Sequence, residues 1–102
     1  MHHSDPMFMG GNANQELTPM SESRHYKLHP EMNKYLYNVH DNDGNHMAPY
    51  PGNNRFEIQK NFDRPWRINA LKGFYDSHPI KYWDARFYFY RNNDMLKQWR
   101  PW

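Results

Sequence analysis

A chain of 102 residues with a net charge of +2 has room for one small domain. It has no cysteine, which excludes a disulfide scaffold, a cysteine-based zinc site and a thiol nucleophile. The positive charge is spread along the chain without the basic cluster typical of nucleic-acid-binding proteins, and no run approaches the roughly 20 apolar residues that a membrane-spanning helix needs.

The apolar residues are unusual in kind. Leu, Ile, Val and Phe together make up only 15 of the 102 residues, whereas 8 Tyr, 7 Met and 4 Trp supply most of the other bulky side chains. This aliphatic and Phe content is below the level of roughly 20% that favours independent folding. Tyr and Trp combine an apolar body with a polar end and are enriched at protein interfaces. The composition therefore predicts a mostly irregular, extended and non-globular chain with a few short α-helices, which has no autonomous core and is ordered by its partners.

Residues 1–28 are predicted to form an extended N-terminal arm, because Met, Gly, Asn and Ser recur there without periodicity. The adjacent His2 and His3 are interpreted as part of an exposed polar tail rather than as a pair of metal ligands. The arm contains neither the apolar run of a secretory signal nor the Arg-rich, acid-poor pattern of a mitochondrial presequence, so no cleavable presequence is apparent.

Residues 29–62 are predicted to form a short helix followed by a loop rich in Pro, Asn and Gly. Pro30 suits the first turn of a helix, and Met32, Leu36 and Val39 continue at helical spacing, which predicts a helix at about 30–39. Apolar and polar residues alternate over residues 55–62, which indicates a short strand or extended segment.

The loop at residues 40–54 contains four side chains that could bind a metal ion: His40, Asp41, Asp43 and His46. A calcium loop needs a bidentate Glu six residues after its Gly, but Tyr50 stands six residues after Gly44. Two His and two Asp residues in a loop without supporting hydrogen-bond partners seldom bind zinc. We therefore predict a plain turn without a metal ion.

Residues 63–102 are predicted to form a helical aromatic anchor segment. Asp63 can cap a helix over residues 64–72, and Gly73 is interpreted as its end. After a turn, Ser77 can cap a second helix over residues 79–91. This helix would be apolar or aromatic nearly all round, a pattern typical of a helix that is buried on several sides.

Two secondary structures are compatible with the second half of this segment. Ile80, Trp83, Phe87 and Tyr90 recur at helical spacing, whereas a strand would place Trp83, Ala85, Phe87 and Phe89 on one side. The absence of an internal helix breaker favours the helix.

The aromatic residues of this segment and their neighbours are predicted to form an interface with other protein subunits, since Trp, Tyr and Arg contribute most to binding energy at such surfaces. Aromatic residues interspersed with basic ones can also stack on RNA bases, but the acidic residues among them disfavour nucleic acid. Contact with a membrane surface through Trp and Tyr is compatible with protein contact. The predicted contact residues are Trp66, His78, Pro79, Ile80, Tyr82, Trp83, Arg86, Phe87, Tyr88, Phe89, Tyr90, Trp99 and Trp102.

No catalytic or cofactor-binding motif is found. The 7 His residues could support acid–base chemistry. However, the sequence has neither a Gly-x-Ser-x-Gly nucleophile motif nor a phosphate-binding glycine loop. We therefore predict a protein that is not an enzyme and has no cofactor or bound metal.

Residues 75–89 read YDSHPIKYWDARFYF. This segment resembles the pattern Tyr-x-x-His-Pro-Ile-x-x-Trp-x-Ala-Arg-x-Phe-Tyr of the SGDH family of accessory subunits of mitochondrial respiratory complex I (NADH:ubiquinone oxidoreductase). The last two aromatic residues of the pattern match Tyr88 and Phe89 in exchanged order. The residues that match without exchange are Tyr75, His78, Pro79, Ile80, Trp83, Ala85 and Arg86.

The resemblance implies a non-catalytic subunit that structurally stabilises the membrane arm of complex I. Such a subunit would lie at the mitochondrial inner membrane, and a chain without a spanning helix would be peripheral, on the intermembrane-space side. Two alternatives belong to other classes of protein. One is a small mitoribosomal or other RNA-associated protein, and the other is a structural protein that lines a lattice or filament.

Overall fold

The computed structural model of the protein describes residues 1–48 and 55–100, which form four α-helices and two 3-10 helices. The α-helices are α1 (Glu22–Tyr37), α2 (Arg55–Asn61), α3 (Arg64–Ser77) and α4 (Trp83–Asn92), and the 3-10 helices are Met7–Met9 and Asp94–Trp99. The radius of gyration is 13.0 Å, the value expected for a folded domain of about 100 residues, where an unfolded chain would have about 30 Å. The prediction of an extended, non-globular chain is therefore wrong.

Tyrosines and methionines fill much of the core. Those with at most 1% of their surface exposed include Met9, Met32, Met47, Tyr75, Tyr82 and Tyr90. The hydroxyl of Tyr75 donates to the carbonyl oxygen of Ser4 at 2.6 Å, and that of Tyr90 donates to the Asp76 carboxylate at 2.9 Å. Because these polar ends are hydrogen-bonded, the rings can be buried without a large desolvation cost. An expectation based on Leu, Ile, Val and Phe alone therefore underestimated the core.

Helix α1 begins at Glu22 rather than at Pro30. Ser21 caps it, since its side chain accepts a hydrogen bond from the Arg24 backbone N–H, and the negative charge of Glu22 favours the first turn. Pro30 lies inside the helix. The predicted helix at 30–39 therefore covered only the second half of α1, and its inward residues Met32 and Leu36 were correctly identified.

Residues 1–18 fold back onto the helices and are called the N-terminal loop below. The backbone N–H groups of His2 and Thr18 donate to each other's carbonyl oxygens at 2.9 and 2.8 Å, which joins the two ends of the loop. Met9 is in the core, and its carbonyl oxygen accepts hydrogen bonds from Arg64 at 2.6 Å and Arg67 at 2.8 Å. His2 is only 1% exposed. The interpretation of His2 as part of an exposed tail is therefore wrong.

Helices α2 and α3 follow one another. Residues 55–61 are helical rather than extended, with Ile58 buried and Phe56 exposed. A helix of this length depends on packing rather than on intrinsic propensity, so the alternating pattern was misleading here. Asp63 caps α3 as predicted, since its carboxylate accepts a hydrogen bond from the Trp66 backbone N–H at 2.9 Å.

Gly73 does not end α3, which continues to Ser77. A Cβ atom at position 73 would lie 2.4 Å from the hydroxyl oxygen of Tyr35 in α1. The glycine therefore permits close packing of α1 on α3. Packing of this kind is a common reason for a glycine inside a helix.

The helical interpretation of the aromatic segment is confirmed and the strand alternative is wrong, since Trp83–Asn92 forms α4. The helix begins later than the predicted residue 79, after a turn. Ser77 is the last residue of α3, and its hydroxyl donates to the Gly73 carbonyl oxygen at 2.7 Å instead of capping α4.

Two carboxylates connect the helices. Asp76 of α3 accepts hydrogen bonds from Arg86 Nε and from the Tyr90 hydroxyl of α4, both at 2.9 Å. Asp84 of α4 accepts two from the Arg24 guanidinium of α1, at 2.6 and 2.8 Å. Burial by itself raises the pKa of each carboxyl group, but the hydrogen bonds from the cationic partners outweigh it and lower both pKa values.

We expect the protein to lose stability in acid through these two groups. Because the pKa of each is lower in the folded than in the unfolded state, the ion pairs stabilise the fold fully above the unfolded value of about 3.9. Their contribution is lost as the pH falls through the lower folded values. The melting temperature measured between pH 7 and pH 3 should therefore drop below about pH 4. This drop should be smaller in Asp84→Asn. It should be unchanged in the control variant Asp43→Asn, because Asp43 is exposed. A melting temperature that stays constant down to pH 3 would contradict this account.

Candidate functional sites

The side of α4 that faces solvent carries large apolar residues. Ile80, in the turn before the helix, is 86% exposed, Trp83 is 64% exposed and Phe87 is 37% exposed. Trp83 and Phe87, four residues apart, are neighbours on one side of α4, and Ile80 precedes them in the turn. We call Ile80, Trp83 and Phe87 the α4 face. The expected burial of this helix on all sides is not achieved within the chain.

Other predicted contact residues of α4 belong to the core. Tyr82, Phe89 and Tyr90 are at most 1% exposed, and the ring centroid of Phe89 lies 5.0 Å from that of Tyr75. These residues position α4 and do not reach a surface on which a partner could bind. The aromatic residues of α4 therefore divide between the core and the α4 face.

The remaining predicted contact residues lie outside the core. Trp66, Pro79 and Trp99 are exposed, whereas His78, Arg86 and Tyr88 are half-buried. Trp102 lies outside the described residues. Most of the predicted contact residues are therefore at least partly exposed. Ile80 and Trp83 are the most exposed members of the α4 face.

The basic residues beside the α4 face are paired with carboxylates of the same chain. We expected Arg86 to contact another chain, but its guanidinium forms an ion pair with Asp76 at 2.9 Å. The other two pairs are Lys81 with Glu31, and Arg91 with Glu16 at 2.9 Å. The face is therefore apolar, and the charges along its margin are neutralised within the molecule.

The segment that resembles the SGDH family forms the corner between α3 and α4. Tyr75 and Ala85 are buried, and His78 Nδ1 donates to the Phe74 carbonyl oxygen at 2.9 Å. Of the matched residues, Ile80 and Trp83 are the most exposed large apolar side chains. The pattern therefore combines residues that build the corner with residues that face solvent.

The His40–His46 loop uses its polar groups to close a turn. The Asp41 carboxylate accepts hydrogen bonds from the backbone N–H of Asn45 at 2.9 Å, from its side-chain amide at 2.9 Å and from the backbone N–H of Asp43 at 3.0 Å. These hydrogen bonds, that from the Asn45 side chain foremost, lower the pKa of Asp41. His46 Nδ1 contacts the Tyr37 carbonyl oxygen. The four side chains do not converge on a common point.

A group of histidines that the sequence interpretation missed does converge. His25 and His29 lie one turn apart on α1, with their Nε2 atoms 2.9 Å apart, and His2 of the N-terminal loop packs against both, with ring centroids 5.1 and 5.2 Å away. One ring nitrogen from each of the three lies within 4.8 Å of the others. We call these residues the histidine cluster.

Two imidazoles of the histidine cluster, those of His2 and His29, favour the neutral form. Burial, together with the neighbouring His29 and His25, lowers the pKa of His2 to about 3. Burial and His25 also lower the pKa of His29. At neutral pH these two rings therefore keep a lone pair on one nitrogen.

One part of this cluster could have been identified from the sequence. A His-x-x-x-His spacing places two imidazoles on one side of a helix, but His25 was assigned to the extended arm of residues 1–28 because the helix was predicted to begin only at about residue 30. His2 gives no comparable signal, because it joins the cluster through folding of the N-terminal loop.

No protein-family model, curated protein or solved structure matches this chain. None of the helices in the described ranges is long and apolar enough to cross a bilayer. The resemblance to the SGDH family therefore remains an expectation drawn from residues 75–89.

Proposed function

We propose that this protein is a non-catalytic accessory subunit that binds other protein subunits through the α4 face and stabilises their assembly. The exposure of Trp83, at 64%, carries the proposal. Trp is one of the residue types that dominate binding energy, and an exposed group of large apolar side chains is typical of an interaction site. Phe87, four residues further along α4, extends this anchor in the spacing by which helices insert apolar side chains into a groove, and Ile80 adds an exposed apolar side chain in the preceding turn.

The charges around the α4 face favour a protein partner over RNA. Binding of a nucleic acid depends on basic groups that neutralise phosphates. Arg86, Lys81 and Arg91 already have in-chain carboxylate partners, so an approaching phosphate would have to compete with Asp76, Glu31 and Glu16. A partner that offers an apolar groove meets no such competition.

The resemblance of residues 75–89 to the SGDH family directs the proposal to a particular assembly, the membrane arm of mitochondrial respiratory complex I. Within that proposal the chain is a peripheral subunit at the inner membrane on the intermembrane-space side. Its role is structural, because the α4 face contains apolar side chains and no catalytic group.

We expect Trp83→Ala to weaken binding to the complex roughly 30-fold or more, since central Trp anchors contribute about 2–4 kcal/mol. A tagged chain expressed in its own organism is followed by native electrophoresis of mitochondrial membranes, with NADH dehydrogenase activity stained in the gel. The wild-type chain should migrate with the active complex, and Trp83→Ala should be depleted from it. The melting temperature of the purified variant should change little, because Trp83 is exposed.

Tyr26→Ala is the matched control, because Tyr26 of α1 is an aromatic residue with 83% exposure that lies outside the α4 face. This variant should remain with the complex. Two results would refute the proposal. One is a wild-type chain that migrates alone or with mitoribosomal subunits, and the other is a Trp83→Ala chain that is retained as well as the wild type.

A further inference from the structure

We propose that the histidine cluster, His2, His25 and His29, binds a divalent metal ion of the class that prefers imidazole ligands, and that Zn²⁺ is the ion that fits it. This inference is independent of the α4 face. It replaces the expectation from the sequence that the chain binds no metal ion.

The distances within the cluster are close to those of a zinc site. Zn–N bonds of about 2.0–2.1 Å place the ligand nitrogens of a tetrahedral site about 3.3 Å apart. The Nε2 atoms of His25 and His29 are 2.9 Å apart, and one ring nitrogen from each of the three residues lies within 4.8 Å of the others. Small side-chain rotations, which change the nitrogen–nitrogen distances by at most about 1.5 Å, would complete the three-ligand set.

His2 already makes the kind of hydrogen bond that supports a metal-binding imidazole. The single proton of the Tyr75 hydroxyl is donated to the Ser4 carbonyl oxygen at 2.6 Å, so in the 3.2 Å contact between Tyr75 and His2 Nε2 the imidazole is the donor. The lone pair of the neutral ring is therefore on Nδ1. A histidine that binds metal through one nitrogen normally donates a hydrogen bond from the other, as His2 does here.

The Nδ1 atom of His2 is buried and has no hydrogen-bond partner. A buried polar atom without a partner is costly, and such atoms are rare in folded proteins. A metal ion would give this lone pair a partner. The ion would also bind His25 and His29. Their facing Nε2 atoms can hold only one proton between them in a hydrogen bond, so at least one lone pair is directed into the cluster.

The ligand types indicate which metals would bind. Three imidazoles without a carboxylate suit Zn²⁺ and its transition-metal neighbours, whereas Mg²⁺ and Ca²⁺ require oxygen ligands. The Asp84 carboxylate lies near enough to favour positive charge at His2, although Arg24 already forms an ion pair with it. His25 and His29 are half-buried, which leaves the solvent side of the cluster for a water molecule as the fourth ligand.

A bound ion would cross-link two parts of the fold. His2 belongs to the N-terminal loop, and His25 and His29 belong to α1. Because the ligands come together only in the folded chain, binding of the ion stabilises the fold. The metal would thus fasten the N-terminal loop onto the helices.

The experiment uses the full chain purified without a histidine tag, and Zn²⁺, Mg²⁺ and Ca²⁺ as separate probes. Calorimetric titration should show one equivalent of Zn²⁺ bound, and a 100-fold excess over the dissociation constant should raise the melting temperature by about 10 °C or more. Mg²⁺ and Ca²⁺ should produce neither effect. The double variant His25→Gln, His29→Gln should bind Zn²⁺ at least 30-fold more weakly, while Tyr75→Phe should bind roughly 10-fold more weakly because His2 loses its hydrogen-bond acceptor.

The matched control is the double variant His40→Gln, His46→Gln, which removes the other neighbouring pair of histidines and should bind Zn²⁺ within threefold of the wild type. Imidazole ¹⁵N signals of the wild-type chain provide a measurement that does not depend on variants folding. Zn²⁺ should shift the signals of His2, His25 and His29. The proposal is overturned if no equivalent of Zn²⁺ binds, if the His25, His29 variant binds as tightly as the wild type, or if the shifts occur at His40 and His46 instead.

Discussion

Phe89→Ala is expected to lower the free energy of unfolding by about 3–5 kcal/mol, a large part of the roughly 5–15 kcal/mol that stabilises a small domain. Phe89 is fully buried on the inner side of α4, where its ring packs against Tyr75 of α3. Truncation leaves a cavity between the two helices that a closely packed core cannot fill by relaxation. Urea denaturation of the isolated chain, followed by circular dichroism, measures the loss.

Phe87→Ala is the matched control, because Phe87 lies on the same helix but is 37% exposed as part of the α4 face. We expect it to cost about 1 kcal/mol or less. Equal losses for the two variants would contradict the assignment of the inner and outer sides of α4. A wild-type chain that unfolds without a cooperative transition would contradict the more general finding of an autonomous core.

The positions of α3 and α4 could largely be predicted from local signals. Asp63 supplied a recognisable cap, and the absence of an internal helix breaker favoured a helix over a strand in the aromatic segment. The ends of the helices were harder to predict. Gly73 is a typical helix terminator by local rules, but its place inside α3 depends on the Tyr35 side chain of another helix.

Compactness could not be predicted from composition, because a tyrosine is buried at lower cost where its hydroxyl finds a partner. Tyr75 finds the Ser4 carbonyl oxygen 71 residues away, and Tyr90 finds Asp76 in the preceding helix. Neither pairing has a local signature. The same residue type can therefore form a core or an interface, and aromatic content alone does not distinguish the two.

The two candidate sites differ in how much of each could be predicted from the sequence. The α4 face was contained in the predicted contact set, but a helix that is aromatic nearly all round does not indicate which side packs inward. The spacing of His25 and His29 was available, whereas the third member, His2, arrives through folding of the N-terminal loop. Both sites thus depend on contacts between distant parts of the chain.

The N-terminal loop that carries His2 is also held by a buried ion pair, and we expect Asp5→Ala to destabilise the protein by about 3 kcal/mol. Asp5 is 3% exposed, and its carboxylate binds the Arg64 guanidinium through two hydrogen bonds, one of 3.1 Å and a second from Nη2. Arg67, also buried, lies beside them and donates to the Met9 carbonyl oxygen. Loss of Asp5 would leave the buried Arg67 guanidinium and the partly exposed Arg64 guanidinium without their nearby carboxylate. Urea denaturation measures the total loss, and amide hydrogen exchange should show faster exchange throughout residues 1–18 than in α4.

Asp94→Ala tests whether burial of the Asp5 carboxylate causes the expected loss of stability in Asp5→Ala. The Asp94 carboxylate is fully exposed and lies 3.8 Å from Arg100, and exposed pairs of this kind contribute little to stability because water and salt screen them. The two variants remove the same side chain, so the difference between them isolates the environment of the carboxylate. If Asp5→Ala were no more destabilising than Asp94→Ala, the N-terminal loop would be held by burial of Met9 and by its hydrogen bonds to Arg67 and Tyr75 rather than by the ion pair. Added salt supplies an independent check, because screening should weaken the exposed pair and leave the Asp5–Arg64 pair almost unchanged.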